Sequence, residues 1–141
     1  MINKIIGSAQ EAVADIHDGA TIMISGFGEA GSPIELIHAL IDQGARDLTV
    51  VSNNTGSGNV GLAALIENRQ VKKMICSFPR TANSTVFPDL YRKGEIELEL
   101  RQRYRLIDLA DIAAQGLRHH GRLLEDFLLH EVAIIALLDG S

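Results

Sequence analysis

The run Thr21-Ile22-Met23-Ile24-Ser25 empties directly into Gly26-Phe27-Gly28-Glu29-Ala30-Gly31, and Ser32-Pro33-Ile34-Glu35 follows at once. A β-favouring run, a loop poor in Cβ atoms and a helix start, in that order, predict a strand-loop-helix unit whose loop sits at the carboxyl end of the strand. Ser32 is the expected N-cap, Pro33 the first helical residue and Glu35 the capping-box acid. Leu36, Ile37, Leu40 and Ile41 then share one face, and Gly44 ends the helix.

The same alternation repeats along the chain. A strand is expected over 48–51, a polar loop over 52–58, a helix around Leu62, Leu65 and Ile66, a strand over 73–76, a short helix over 88–91 and a strand over 96–100. Upstream, Ser8 and Glu11 have capping-box spacing, and Ala9, Val13 and Ile16 continue a short helix to the turn at Asp18-Gly19. Repeated βα units predict an α/β fold with a mainly parallel sheet, helices packed on it and a ligand edge at the strand carboxyl ends. A length of 141 residues fits one domain.

Composition excludes several functions. The net charge of −5, with no basic cluster interleaved with aromatics, speaks against nucleic acid. No apolar run approaches the roughly 20 residues of a spanning helix, so no membrane role is expected. Gln10, Glu11 and Asp15 break the pattern of a signal peptide. The single cysteine, Cys76, reads as a small buried hydrophobe in a reducing, cytoplasmic setting.

Beyond Leu100 the character changes. Arg101, Arg103, Arg105, Arg118 and Arg122 supply all the positive charge, lysine vanishes and leucine becomes frequent. Leu106, Leu109, Ala110 and Ala113, then Leu123, Leu124, Phe127 and Leu128, have helical spacing, while 132–138 is apolar enough for strand or helix. Residues 101–141 are therefore expected to form an atypical, mainly helical tail of the same domain.

Gly26, Gly28 and Gly31 spell G-x-G-x-x-G, the dinucleotide-binding pattern. A ribose-binding acid should then end the second strand, but Ser52, Asn53 and Asn54 stand there, and Glu29 within the loop would repel a pyrophosphate unless it points away. Backbone N–H groups at such a loop can equally approach a thioester or a phosphate, or the glycines can serve a tight turn alone.

The longer string from Asp18 to Pro33 resembles the signature of the A-type subunit of family I CoA-transferases: D-G, two residues, three apolar residues, G-G-F, three residues, G-x-P. Ser25 stands where that signature prefers glycine. Arg46-Asp47-Leu48-Thr49-Val50-Val51-Ser52-Asn53-Asn54 and Cys76-Ser77-Phe78-Pro79-Arg80 also resemble this family, especially its 3-oxoadipate branch, and the likeness covers residues 1–100. It implies a hetero-oligomer with a B-type CoA-transferase subunit that carries the catalytic glutamate. It also implies coenzyme A as a substrate with no further cofactor, moved from succinyl-CoA to a 3-oxoacid such as 3-oxoadipate or acetoacetate. The glutamate would pass through an acyl anhydride and a glutamyl-CoA thioester. The likeness further implies a CoA-binding loop of Ser25, Gly26, Phe27, Gly28, Glu29, Ala30 and Gly31, with Asn53 and Asn54 near the substrate and no catalytic residue in this chain. Past Leu100 the family's Pro-Gln-Gly context is missing, and Gln102 is one position from the expected glutamine.

His119, His120, His130 and Glu131 match no metal-ligand spacing. Arg80 suits a CoA phosphate or a dicarboxylate substrate, against the plainer reading of a solvated or salt-bridged arginine. A non-catalytic, self-associating α/β domain is the alternative from another class, and a nucleotide-binding oxidoreductase domain is the third reading.

Overall fold

A computed structural model describes residues 6–27, 29–81, 83–101 and 135–137. Helices and strands follow the expected order: α1 (Ala9–Val13), β1 (Thr21–Ile24), α2 (Ile34–Gln43), β2 (Leu48–Val51), α3 (Gly61–Glu67), β3 (Val71–Cys76), α4 (Val86–Arg92) and β4 (Glu97–Leu100), with β5 (Ile135–Leu137) closing the described chain. The sheet order is β4-β3-β2-β1-β5, parallel from β1 through β4 and antiparallel between β1 and β5. The ambiguous apolar run at 132–138 thus contributes a strand at 135–137. The helices expected within 106–128 lie outside the described residues.

Parallel neighbours taken in chain order need crossovers of one hand, which puts their helices on one face of the sheet. Accordingly α1 packs on α2, α2 on α3 and α3 on α4 in a continuous layer. The core lies between this layer and the sheet, built from Ile22, Ile24, Ile37, Leu40, Leu48, Val50, Leu65, Ile66 and Met74, each at most 2% exposed. On the opposite face Met23, Val51 and Ile75 share one register row that ends at Glu99.

Local signals explain the element ends. Ser8 Oγ accepts from Glu11 N at 3.1 Å, and Glu11 Oε2 reaches back to Gly7 N at 3.0 Å, one residue before the cap. This helix is shorter than expected: it stops at Val13, and turns carry Ile16 to its buried place. The chain must bend there because Asp18 Oδ1 accepts from Arg46 N and Gly19 N donates to Arg46 O, both at 2.8 Å, tying the approach to β1 to the approach to β2. At α2 the expected cap is also displaced. Pro33, not Ser32, is the N-cap, and its carbonyl accepts the first helical bond from Ile37 at 3.0 Å; no side-chain cap forms. Ser32 therefore stands one residue too early for its hydroxyl to reach the first helical donors, and the Glu35 capping box is not made. Gly44 closes α2 in the left-handed region as its sequence position predicts. Pro88 lies in the first turn of α4, where a missing N–H costs nothing.

The most consequential buried polar group carries no local sequence signal. Gln70 is fully buried, and its Nε2 donates to Leu40 O at 3.2 Å and Ala45 O at 2.9 Å, while Oε1 accepts from Asn68 Nδ2 at 2.7 Å. Its own carbonyl accepts from Leu48 N at 2.9 Å. Gln70→Leu would keep the volume but strip the Ala45 carbonyl of its donor and the Asn68 amide of its acceptor, while Leu40 O keeps the Gly44 N–H, and it is expected to lower stability by about 1–3 kcal/mol, read from urea unfolding.

At the β4 edge, Lys73 Nζ lies 2.6 Å from Glu99 Oε2, and Arg101 pairs with the other carboxylate oxygen. The hydrogen bond from Lys73, then that from Arg101, holds the Glu99 carboxyl below its ordinary range. A depressed folded value means that the stabilisation is present above the ordinary value of 4.5 and is lost as pH falls through the folded value. Thermal midpoints of wild type and Glu99→Gln should therefore differ at pH 7 and converge as pH falls below about 4.5.

Candidate functional site

Three loops leave the carboxyl edge of the parallel sheet side by side: after β1, after β2 and after β3. The first is a tight turn. Phe27 N donates to Ala30 O at 2.9 Å, Ser32 N to Glu29 O at 3.2 Å, and Ser25 Oγ to Gly31 O at 3.1 Å, closing the loop on itself. Gly26 has φ +126°, and a Cβ there would stand 3.1 Å from the backbone of Ser32, so both conformation and space require glycine. Phe27 is 75% exposed, and Glu29 and Ala30 are exposed as well. Gly28 lies outside the described residues. A carboxylate oxygen of Glu29 lies beside Gly58, 3.3 Å from where a Cβ on that glycine would be, so Glu29 leans toward the second loop.

The second loop is polar yet largely buried: Ser52, Asn54 and Thr55 are each at most 6% exposed. Buried polar groups need partners, and here the partners come from the loop itself and from the third loop. Asn54 Oδ1 accepts from Gly56 N at 2.8 Å, an Asx turn, so the Asn54 side chain shapes the backbone. Asn53 is half-buried; its carbonyl accepts from Phe78 N at 3.0 Å, and its Oδ1 accepts from Ser77 Oγ at 3.1 Å. Thr55 Oγ1 donates to Pro79 O at 2.9 Å, and Thr81 Oγ1 to Gly56 O at 2.7 Å. Gly56, at φ +79°, presses on α3: a Cβ would fall 2.5 Å from Ala63 N. His38 of α2 accepts from Gly61 N through Nε2 at 3.2 Å, joining α2 to the start of α3 behind the loops.

The groups that shape this edge are backbone amides, hydroxyls and amide side chains, with Glu29 and Arg80 exposed on it. Cys76 ends β3 within it, but burial pushes its thiol up to about 11, only partly opposed by the Phe78 backbone N–H, so it is not a thiolate nucleophile near neutral pH. No group of three or more His, Cys, Asp or Glu residues able to hold a metal occurs among the described residues, and His119, His120, His130 and Glu131 lie outside them. No helix among the described residues is long and apolar enough to cross a membrane. The lacing by Ser77, Thr55 and Thr81 is a feature that sequence reasoning misses; the only signal for it is the clustering of hydroxyl residues after two successive strands.

The carboxyl edge of this α/β sheet thus carries a glycine turn after its first strand and a buried, amide-rich loop after its second. Comparison with known proteins gives the chain a family. The sequence model of the family described as Coenzyme A transferase matches residues 6–125, running past Leu100, where the motifs place the end of the likeness. The chain is 53% identical over 117 residues to the A-type subunit of 3-oxoadipate CoA-transferase from Acinetobacter baylyi and 52% identical over 117 residues to that from Pseudomonas putida, in each case across 83% of this chain and 51% of the relative. The glutaconate coenzyme A-transferase structure from Acidaminococcus fermentans superposes with a TM-score of 0.66 at 25% identity, covering 82% of this chain and 37% of that one. The chain belongs to the Coenzyme A transferase family. It spans about half the length of the curated relatives it matches.

Burial of Cys76 gives a direct check on how closed this edge is. In the folded chain the thiol should resist iodoacetamide at pH 8, with labelling at least about 100-fold slower than in urea; equal rates would show that the end of β3 is open.

Proposed function

We propose that this chain supplies the CoA-binding edge of a two-subunit transferase that moves CoA from succinyl-CoA to a 3-oxoacid such as 3-oxoadipate, with the catalytic glutamate on a B-type partner. The observation that carries the reading is the closed glycine turn after β1, in a chain 53% identical to the A-type subunit of a 3-oxoadipate CoA-transferase. Ser25, Gly26, Phe27, Gly28, Glu29, Ala30 and Gly31 line the CoA side, where small residues let a thioester approach the backbone. Asn53 and Asn54 stand near the substrate: Asn54 holds the loop, and Asn53, with Oδ1 engaged by Ser77, keeps its amide donors available.

In this scheme the partner's glutamate attacks the thioester carbonyl and expels the CoA thiolate, leaving an acyl-glutamyl anhydride. The thiolate then attacks the glutamyl carbonyl, releasing succinate and forming glutamyl-CoA, and the 3-oxoacid carboxylate reverses the two steps. This chain's part is to hold CoA and supply hydrogen-bond donors, with no nucleophile of its own. Residues 101–141 belong to the same domain, a reading supported by the pairing of β5 along β1. A cytoplasmic setting is part of the same reading.

The test is a CoA-transfer assay on the chain co-expressed with a B-type partner, using succinyl-CoA with 3-oxoadipate and with acetoacetate. Transfer that drops at least about 100-fold in Gly26→Trp, in a pair whose circular dichroism is unchanged, supports the reading. A folded wild-type pair that transfers no CoA overturns it.

A further inference from the structure

Among the described residues, the carboxyl edge holds one cation with no acid to neutralise it. Arg69 pairs with Glu95, Arg92 with Asp89, and Lys73 and Arg101 both with Glu99. Arg46, Lys72 and Lys93 have no acidic partner among those residues, but they flank the amino ends of β2, β3 and β4, far along the strands from the loops. Arg80 alone in this set combines an exposed, unpaired guanidinium with a place on the ligand edge.

Its backbone, by contrast, is fixed. Phe78 N is bound to Asn53 O, Pro79 O accepts from Thr55, and Thr81 donates to Gly56 O, so contacts to the second loop hold the chain on both sides of Arg80. Phe78, two residues before it, is 63% exposed. A solvated arginine needs neither a clamped backbone nor an exposed ring two residues away in the same loop. An exposed apolar ring and a guanidinium fork on one short, clamped loop match a ligand made of a short methylene chain ending in a carboxylate.

Resting on the CoA-transferase reading above, we infer that Arg80 recognises the distal carboxylate of a dicarboxylic 3-oxoacid, with Phe78 against the methylene chain, and so makes the chain prefer 3-oxoadipate to monocarboxylic acceptors. The guanidinium is the specificity determinant, acting on the end of the acyl chain remote from the reacting carboxylate. A phosphate of CoA could take the same cation, but it is common to every acceptor and would confer no preference among them.

The experiment uses the chain with its B-type partner and measures kcat/KM for 3-oxoadipate and for acetoacetate in the wild type, Arg80→Gln and Arg80→Lys, alongside adipate titrations of each complex by calorimetry. The ratio of the two kcat/KM values cancels whatever both acceptors share, the CoA contacts included. In Arg80→Gln the preference for 3-oxoadipate should fall roughly 10- to 100-fold, as loss of a charge-assisted hydrogen bond predicts, adipate affinity should fall with it, and Arg80→Lys should recover part of both. An unchanged ratio overturns the inference, whether both rates fall together, as for a phosphate contact, or neither does. A wild-type pair that transfers CoA to neither acceptor overturns the transferase reading instead; equal adipate affinities in wild type and Arg80→Gln would then overturn the carboxylate assignment on its own.

Discussion

A single buried amide sets the frame on which the rest is hung. Gln70 binds the carbonyl of Leu40 near the end of α2 and that of Ala45 in the following turn, while its own carbonyl receives the first amide of β2. Three segments that meet only at the amino edge of the sheet are thereby held in one geometry. The β2–β3 register, with its irregularity between Leu48 and Thr49, begins beside this junction and runs on to Val51 opposite Ile75. That register decides which residues of the second and third loops meet at the far edge. A hydrophobic residue at position 70 would fill the same space and leave that choice to packing alone, which is tolerant of small shifts in a way that hydrogen bonds are not.

At the opposite edge the division of labour is different. There the polar side chains are short, and most serve the backbone: Asn54 forms an Asx turn, while Ser77, Thr55 and Thr81 bind loop carbonyls. The long polar side chains, Glu29 and Arg80, are the ones left exposed. This accords with the proposed function, in which another chain does the covalent work, since a nucleophile would need an activating neighbour and Cys76 is instead buried in its neutral form.

Much of this is legible in the sequence because it is local. Alternating apolar runs and turn residues locate β1 through β4 to within a residue or two, and Gly26 announces its left-handed backbone by being glycine at a strand-to-helix junction. The failures are of two kinds. Ser32 has the chemistry of a cap but stands one place early, since the chain enters α2 through the Pro33 carbonyl, a geometry no residue type declares. Gln70, and the threonines that lace the loops, donate to carbonyls at least two dozen positions away, and a clustering of hydroxyl residues does not say which distant carbonyls they reach. The strand at 135–137 pairs with β1 from the far end of the chain, which the apolar run there could not reveal. The family match, carried past Leu100, likewise needs more than the motifs that first suggest it.

The lacing of the second and third loops bears on the thermodynamics of ligand capture. Ordering a mobile residue costs on the order of 1–2 kcal/mol in backbone entropy, and loops that close only around a ligand meet that cost at the moment of binding. Here the hydrogen bonds from Thr55, Thr81 and the Phe78 amide to the facing loop are made when the sheet forms. A ligand bound at this edge as proposed would therefore be little taxed by disorder, and the heat-capacity change on binding should reflect the surface it covers more than any folding of the loops around it.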